Sequence, residues 1–463
     1  MKVSHHLWGI ALATAALLGS CSQKEEDVNI PTPNTTTPSY AATQQYVDNE
    51  VIVKFRGDVP LKSSTNIMQQ LGAVAIDTVV RPSALKANEQ DGVYLYSVKG
   101  SVPSIVAQLR GMPEVAYAEP NYIYTKQVLA NDPYFTNGTL WGMCGEATSP
   151  VNQYGSHAAD AWANGHTGAS TVWVGVIDEG YMYAHADLAA NAGKNPGEIA
   201  GNKKDDDGNG YKDDVYGWNF YSNNSTVFGG TADDHGTHVS GTIGAAGGNA
   251  AGVAGVCWNV RIINCKFLGF FGGTTANAVK AVSYLTDLKS RSKINLVAIN
   301  NSWGGGGYSQ ALKDAIDKAG NAGILFVVAA GNGGSDGRGD NNDATPTYPA
   351  SYTSSNIITV ASISSSGALS SFSNYGATSV HVGAPGESIY STIPLSSTRS
   401  GYGYMSGTSM ATPHVTGACA LYASTHPGAS AADIKAAIIS TAKPTPSLAG
   451  KCVANGRLDV SGF

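Results

Sequence analysis

A chain of 463 residues exceeds one ordinary domain and is long enough to bury a large core. Only 13% of its residues are charged and 56 are glycine, which points to a compact, loop-rich exported protein rather than a helical bundle. The net charge of −6, without any basic run, argues against nucleic acid as a partner.

In chain order, residues 1–20 read as a signal segment. Lys2 precedes the apolar run LWGIALATAALL, which is too short to remain as a membrane span. The run ends in LLGSC, which resembles a bacterial lipoprotein signal with Cys21 as the lipid-bearing residue, although Ser20 stands where Gly or Ala is usual. The simpler alternative is a plain signal peptide with an incidental cysteine. The following SQKEED is similar to the acidic tract that sends some lipoproteins to the outer surface, so a cell-envelope location is expected. Residues 21–45, with DVNIPTPNTTTPSY, have no apolar period and read as a flexible tether.

Residues 46–125 are expected to form a small α+β domain. EVIVKF, GVYLYSV and VAYAEPNYIY read as strands, and SVPSIVAQLRG as a helix begun by Ser101 with Pro103 in its first turn. Residues 126–463 are expected to form one α/β unit. Apolar runs ending in TVWVGVID, VRIINCKFLG, LVAINNSWG, GILFVVAAGN, NIITVASIS and VHVGAPG alternate with helical stretches such as TANAVKAVSYLTDLKSR and SQALKDAIDKAGNA. Strands that are apolar throughout are buried on both faces, which predicts a mostly parallel sheet with helices on both sides.

Cys144, Cys257, Cys265, Cys419 and Cys452 show no CxxC and no metal-type spacing, so zinc is not expected. Their odd number leaves at least one unpaired. Cys257 and Cys265 flank a strand-like run that holds them about 25 Å apart, too far for a bridge.

In a parallel sheet the ligand site lies beyond the carboxyl ends of the strands. The polar residues there are Asp178 in VIDEG, Asn301 and Ser302 in NNSWGG, and Asn332 in AAGN. DDHGTHVSG and GTSMATPHV place His235 and Ser409 at helix starts. A serine hydroxyl is a weak nucleophile that needs a base, and the base needs a partner to fix its tautomer. VIDEG, HGTHVSGT and GTSMATPHVTG together resemble the three signature blocks of the subtilisin-like serine proteases, the subtilases; AAGN and NNSWGG resemble their oxyanion and substrate-cleft blocks.

The resemblance implies Ser409 as nucleophile, His235 as general base and then acid, Asp178 as its orienting carboxylate, and Asn332 as donor to the oxyanion beside the Ser409 N–H. His414 is expected to be structural. The family usually carries Ser or Thr after the Asp, where this chain has Glu179, a side chain expected to point to solvent, the alternative being that its carboxylate perturbs the pKa of His235. Polypeptide substrate is expected to add as a strand along NNSWGGGG, with Ser302, Trp303 and Gly304 as one wall of a pocket and Thr347 at its floor.

KKDDDGNGYKDD offers Asp205, Asp207, Asn209, Asp213 and Asp214 around two glycines, a pattern like the first half of a calcium loop but without its terminal Glu. A solvated acidic loop is the alternative. Asp187 in HADL and Asn249 in GGNAAGV, with the carbonyls of Ala251 and Val253, resemble a second calcium site of the family. Residues 46–125 resemble the inhibitor-type propeptide, with cleavage expected between Thr125 and Asp132; a permanent accessory domain is the alternative. The propeptide is thus an expected intramolecular partner, and lipid at Cys21 an expected tie to the membrane before processing. Two rival readings remain: a non-catalytic binder that kept the fold, and an ester or lipid hydrolase. The latter normally shows G-x-S-x-G and the order Ser, Asp, His, neither of which occurs around Ser409.

Overall fold

A computed structural model describes residues 46–81, 92–122 and 130–463. The expected signal segment, the tether, Cys21 and most of the expected cleavage segment lie outside the described residues. The chain divides into two compact units, Met1–Tyr124 and Thr125–Phe463.

The first unit runs β1 (Tyr46–Phe55), α1 (Leu61–Gln70), β2 (Val74–Val80), β3 (Val93–Ser97), α2 (Val102–Arg110) and β4 (Val115–Tyr122). Its four strands form an antiparallel sheet in the order β2-β3-β1-β4. Alternate residues Val51, Val53 and Phe55 of β1 are buried and meet Ile105, Val106 and Leu109 of α2, the face imposed by the two-residue period of a strand. The sequence reading had three of these strands and α2 but lacked α1 and β2. β2 is an edge strand exposed at every position, so burial imposes no alternation on its residues.

The second unit contains α3 (Pro133–Thr136), α4 (Ala158–Ala163), β5 (Gly168–Asp178), β6 (Gly217–Asn219), α5 (Asp234–Gly244), β7 (Asn259–Lys266), α6 (Thr275–Ser292) and β8 (Asn295–Asn301). It continues with α7 (Gln310–Asn321), β9 (Leu325–Ala329), β10 (Ile357–Ile363), β11 (Val382–Pro385), β12 (Ile389–Pro394), β13 (Ser400–Met405), α8 (Thr408–Thr425), α9 (Ala431–Ser440), β14 (Lys443–Pro444) and β15 (Gly456–Arg457). Nine strands pair in the order β14-β15-β11-β10-β9-β8-β5-β7-β6, parallel except between β14 and β15. The expected parallel sheet is therefore present.

Both faces of the sheet are apolar because each carries its own helices. Val174, Val176, Leu325 and Val327 face one way and pack with Val239 and Ile243 of α5 and Val415 and Leu421 of α8. Ile177, Ile299, Phe326 and Val328 face the other way and pack with Val282 and Leu285 of α6 and Ile316 of α7. α8 is buried almost all round, and small residues allow this: a Cβ on Gly417 would lie 2.7 Å from the Val256 Cβ.

All five described cysteines are free and buried. Burial pushes their thiols up, that of Cys144 to about 11 and that of Cys257 to about 12.

Candidate active site

Asp178 is the last residue of β5, and Asn332 lies three residues beyond β9. His235 and Ser409 are the second residues of α5 and α8. Strand ends and helix starts of a parallel sheet share one rim, so residues distant in sequence are delivered to one place.

Asp178 is fully buried. Its Oδ1 accepts from His235 Nδ1 at 2.9 Å and from the Glu179 N–H at 2.8 Å. Its Oδ2 is buried with no hydrogen-bond partner among the described residues. Burial pulls the His235 imidazole down, but the charge and hydrogen bond of Asp178, with Glu179 and Asp234 beyond it, outweigh that and push it up to about 9. Among the described residues His238 and His414 have no carboxylate partner, and burial pulls them down to about 3 and about 4. His414 Nδ1 lies 2.9 Å from the Met410 carbonyl, inside its own helix.

Glu179 does not point to solvent as expected. Its carboxylate accepts the backbone N–H of His235 at 2.7 Å. That N–H belongs to the first turn of α5 and has no partner within the helix.

Pro413 sits at the sixth position of α8, past the first turn. With no N–H it cannot donate to the Ser409 carbonyl four residues back. That carbonyl instead accepts from Ser302 Oγ at 2.8 Å, while Ser409 Oγ donates to the Ser302 carbonyl at 3.0 Å. Asn300 Nδ2 donates to Ser302 Oγ at 2.9 Å, and Thr416 Oγ1 donates to Asn300 Oδ1 at 2.9 Å. The end of β8 is thereby buttoned to the start of α8. No hydrogen bond joins Ser409 Oγ to His235 among the described residues. Contacts of this kind commonly tighten only when substrate binds.

Asn332 Oδ1 accepts from both the N–H and the Oγ1 of Thr408, each at 2.8 Å. With its oxygen so engaged, its Nδ2 is left as an outward donor. A Cβ built on Gly407 would stand 3.4 Å from Asn332 Nδ2 and 3.6 Å from the Ser409 N. Two donors therefore converge on the space that Gly407 leaves open, as oxyanion stabilisation requires.

Of the expected pocket residues, Ser302 is buried and uses its hydroxyl on the helix as described. The Trp303 ring packs inward on Phe267 with centroids 4.7 Å apart. Gly304 lies against the Tyr348 carbonyl, which accepts from the Gly305 N–H at 3.2 Å. This brings the 304–306 backbone beside Thr347, whose N–H bonds Ser351 Oγ at 3.0 Å. Asn301 turns into the sheet, donating to the Ile299 and Val327 carbonyls.

In the acidic loop, carboxylate oxygens of Glu198, Asp205 and Asp207 lie within 4.8 Å of one another. Glu198 also accepts the backbone N–H groups of Asp206, Asp207 and Asp213. Asp213 accepts from the Gly201 and Lys203 N–H groups, and Asn209 donates to Asp207 and Asp214. Asp214 is fully buried, where burial outweighs its bonds from Tyr284 and Asn209 and pushes it up to about 6. The gathered donors are all carboxylate oxygen, the set a hard cation takes.

Asp187, also buried, accepts from Asn249 Nδ2 at 3.3 Å and from the Val253 N–H at 2.9 Å. Asp132 lies alongside, accepting the Gly248 N–H at 2.9 Å.

Sequence reasoning missed the supporting residues Thr408, Asn300 and Thr416, the clamp by Glu179, and Glu198. Thr408 stood inside GTSMATP, so its block was in view but its task was not. Glu198 lies seven residues before Asp205 and has no local signal.

A profile described as the Subtilase family matches residues 169–457, and one described as the Fervidolysin N-terminal prodomain matches residues 32–121. The thermophilic serine proteinase of Bacillus sp. (strain AK1) is 34% identical over 398 residues, covering 86% of this chain and 82% of that relative. Thermitase of Thermoactinomyces vulgaris is 36% identical over 318 residues, covering 67% of this chain and 91% of that relative. A solved structure of a protease from Pseudoalteromonas arctica aligns with a TM-score of 0.56 at 28% identity, over 72% of this chain and 97% of that one.

Proposed function

The chain belongs to the subtilase family, and from that premise we propose that it is a self-processing serine endopeptidase acting through Asp178, His235 and Ser409. The chain is a subtilisin-like serine protease preceded by a prodomain. The observation that carries the finer reading is the 2.9 Å bond between the buried Asp178 and His235, at the same rim as two donors converging beside Ser409. His235 takes the Ser409 proton as the hydroxyl attacks the peptide carbonyl, and later returns it to the leaving amine. Asn332 Nδ2 and the Ser409 N–H receive the developing oxyanion. The unpaired Asp178 Oδ2 leaves that carboxylate's charge to act on the imidazole. A fluorophosphonate probe followed by peptide mass mapping tests this. Label is expected on Ser409 in the wild type and absent in His235→Ala. Label on another residue, in protein that hydrolyses casein, refutes the assignment.

The substrate is polypeptide, laid along 302–304 and bounded by Thr347. The N-terminal domain inhibits until cleavage between Thr125 and Asp132. Relatives named as an extracellular basic protease and an extracellular protease support export. Lipid on Cys21, outside the described residues, would hold the precursor on the envelope before processing.

Calcium is proposed at Glu198, Asp205 and Asp207, and a second ion at Asp187 and Asn249. Bound metal would supply fold stability there and no step of the reaction. Chelation with EGTA is expected to lower the melting temperature by roughly 5 °C, from a ligand contribution of about 2–3 kcal/mol. In calcium, Asp205→Asn/Asp207→Asn should melt lower than the wild type, and its response to EGTA should shrink to the share of the ion at Asp187 and Asn249. A double variant that still responds fully to EGTA places the ion elsewhere.

A further inference from the structure

One residue touches both members of the Asp–His pair. The Glu179 N–H donates to Asp178 Oδ1, and the Glu179 carboxylate accepts the backbone N–H of His235. The second contact caps the first turn of α5 from outside the helix, where a negative charge is favoured by the exposed N–H groups. It therefore fixes the height at which the imidazole meets Asp178.

The charged groups around Glu179 are few. Asp178 precedes it at the end of β5; Asp234 and His235 face it from α5. Asp233, just before α5, is paired with Lys266 at the end of β7, and Lys266 registers with Asp178 across the sheet. Among the described residues the Lys266 ammonium is thus already engaged by Asp233, which leaves the imidazole as the partner for the Glu179 charge. Among the described residues Asp178 Oδ2 has no hydrogen-bond donor to share its charge with. Both carboxylates consequently act on one ring.

We propose that Glu179 is a positioning residue of the catalytic pair: it seats His235 through the backbone of α5, and its charge joins that of Asp178 in setting the pH at which the imidazole becomes a base. This rests on the triad reading above. Burial first, then the Asp178 charge, push the Glu179 carboxyl up to about 7, so it gains and loses its own charge near neutrality. A neighbouring anion favours the imidazolium, so removing that anion lowers the imidazole's pKa. The acid limb of activity then moves to lower pH.

Glu179→Gln keeps an oxygen to accept the His235 N–H and removes only the charge; Glu179→Ala removes both. The kcat/KM of each is measured against pH on a soluble peptide. For Gln, the midpoint of the acid limb should fall by at least about half a pH unit, with kcat on the alkaline plateau within about threefold of wild type. For Ala, the same shift should come with a further loss of plateau kcat and little change in KM.

A Gln limb that superimposes on the wild-type limb overturns the proposal while leaving the triad intact. The low-field proton resonance of the His235 Nδ1–H, followed through its titration in Ser409→Ala protein with and without Glu179→Gln, reads the imidazole without turnover. If the wild type hydrolyses nothing, the triad reading falls, and the resonance still decides the effect of Glu179: identical titrations overturn it.

Discussion

Replacing Ser409 by Ala is expected to lower kcat by about 10⁴- to 10⁶-fold, the scale on which a subtilisin responds to loss of its nucleophile. The structure makes this substitution a clean one. Among the described residues Ser409 Oγ bonds to the Ser302 carbonyl alone, while the contacts that fix the start of α8 run through the Ser409 carbonyl, Ser302 Oγ and Thr408. Those contacts survive in Ala, so folding should not change and the loss should be chemical. The same variant should accumulate as uncleaved precursor. With lipid on Cys21, its catalytic unit should stay in the membrane fraction while that of the wild type is released. Full-length precursor maturing normally in Ser409→Ala cells would show that another protease cuts it. Residual kcat within tenfold of wild type would remove Ser409 from the mechanism.

Asp178→Asn is expected to cost about 10⁴-fold in kcat. Asp178 Oδ1 accepts two N–H groups, from Glu179 and His235, and Oδ2 is buried unpaired. An amide cannot reproduce this. If its oxygen keeps both bonds, its NH₂ is buried without an acceptor, at about 1–3 kcal/mol. If it flips, an N–H confronts the imidazole Nδ1 and forces the wrong tautomer. In either orientation the strongest influence raising the imidazole is gone. Burial then dominates, and the titration of His235 should drop from about 9 to the acid side of neutrality. The variant's residual activity should therefore reach its plateau at lower pH than that of the wild type, although the plateau itself is far lower. Paired pH profiles of kcat/KM measure both. A variant retaining a tenth of wild-type kcat with an unmoved acid limb would sink the role given to Asp178.

What the sequence disclosed followed from burial and from blocks. β5, β8 and β9 are apolar on both faces because helices cover both, so their runs announced a parallel sheet. Asp178, His235, Ser409 and Asn332 each stood in a recognisable block. β2 was illegible because nothing buries it, and Glu198 because it reaches its partners by folding of the loop rather than by spacing. The sequence alone does not show what Pro413 does: at the sixth position of α8 its missing N–H frees the Ser409 carbonyl for Ser302, a residue more than a hundred positions away. Glu179 looked like a solvent-facing departure because its partner, a backbone N–H of α5, is 56 residues away in sequence.

The five enclosed thiols make the second unit independent of the redox state around it. No cross-link among the described residues ties its stability to an oxidising medium, so dithiothreitol should leave it as durable as before. An alkylating reagent, conversely, meets a sulfur only in molecules that have opened, and the rate at which label accumulates would time that opening in whatever compartment the enzyme occupies.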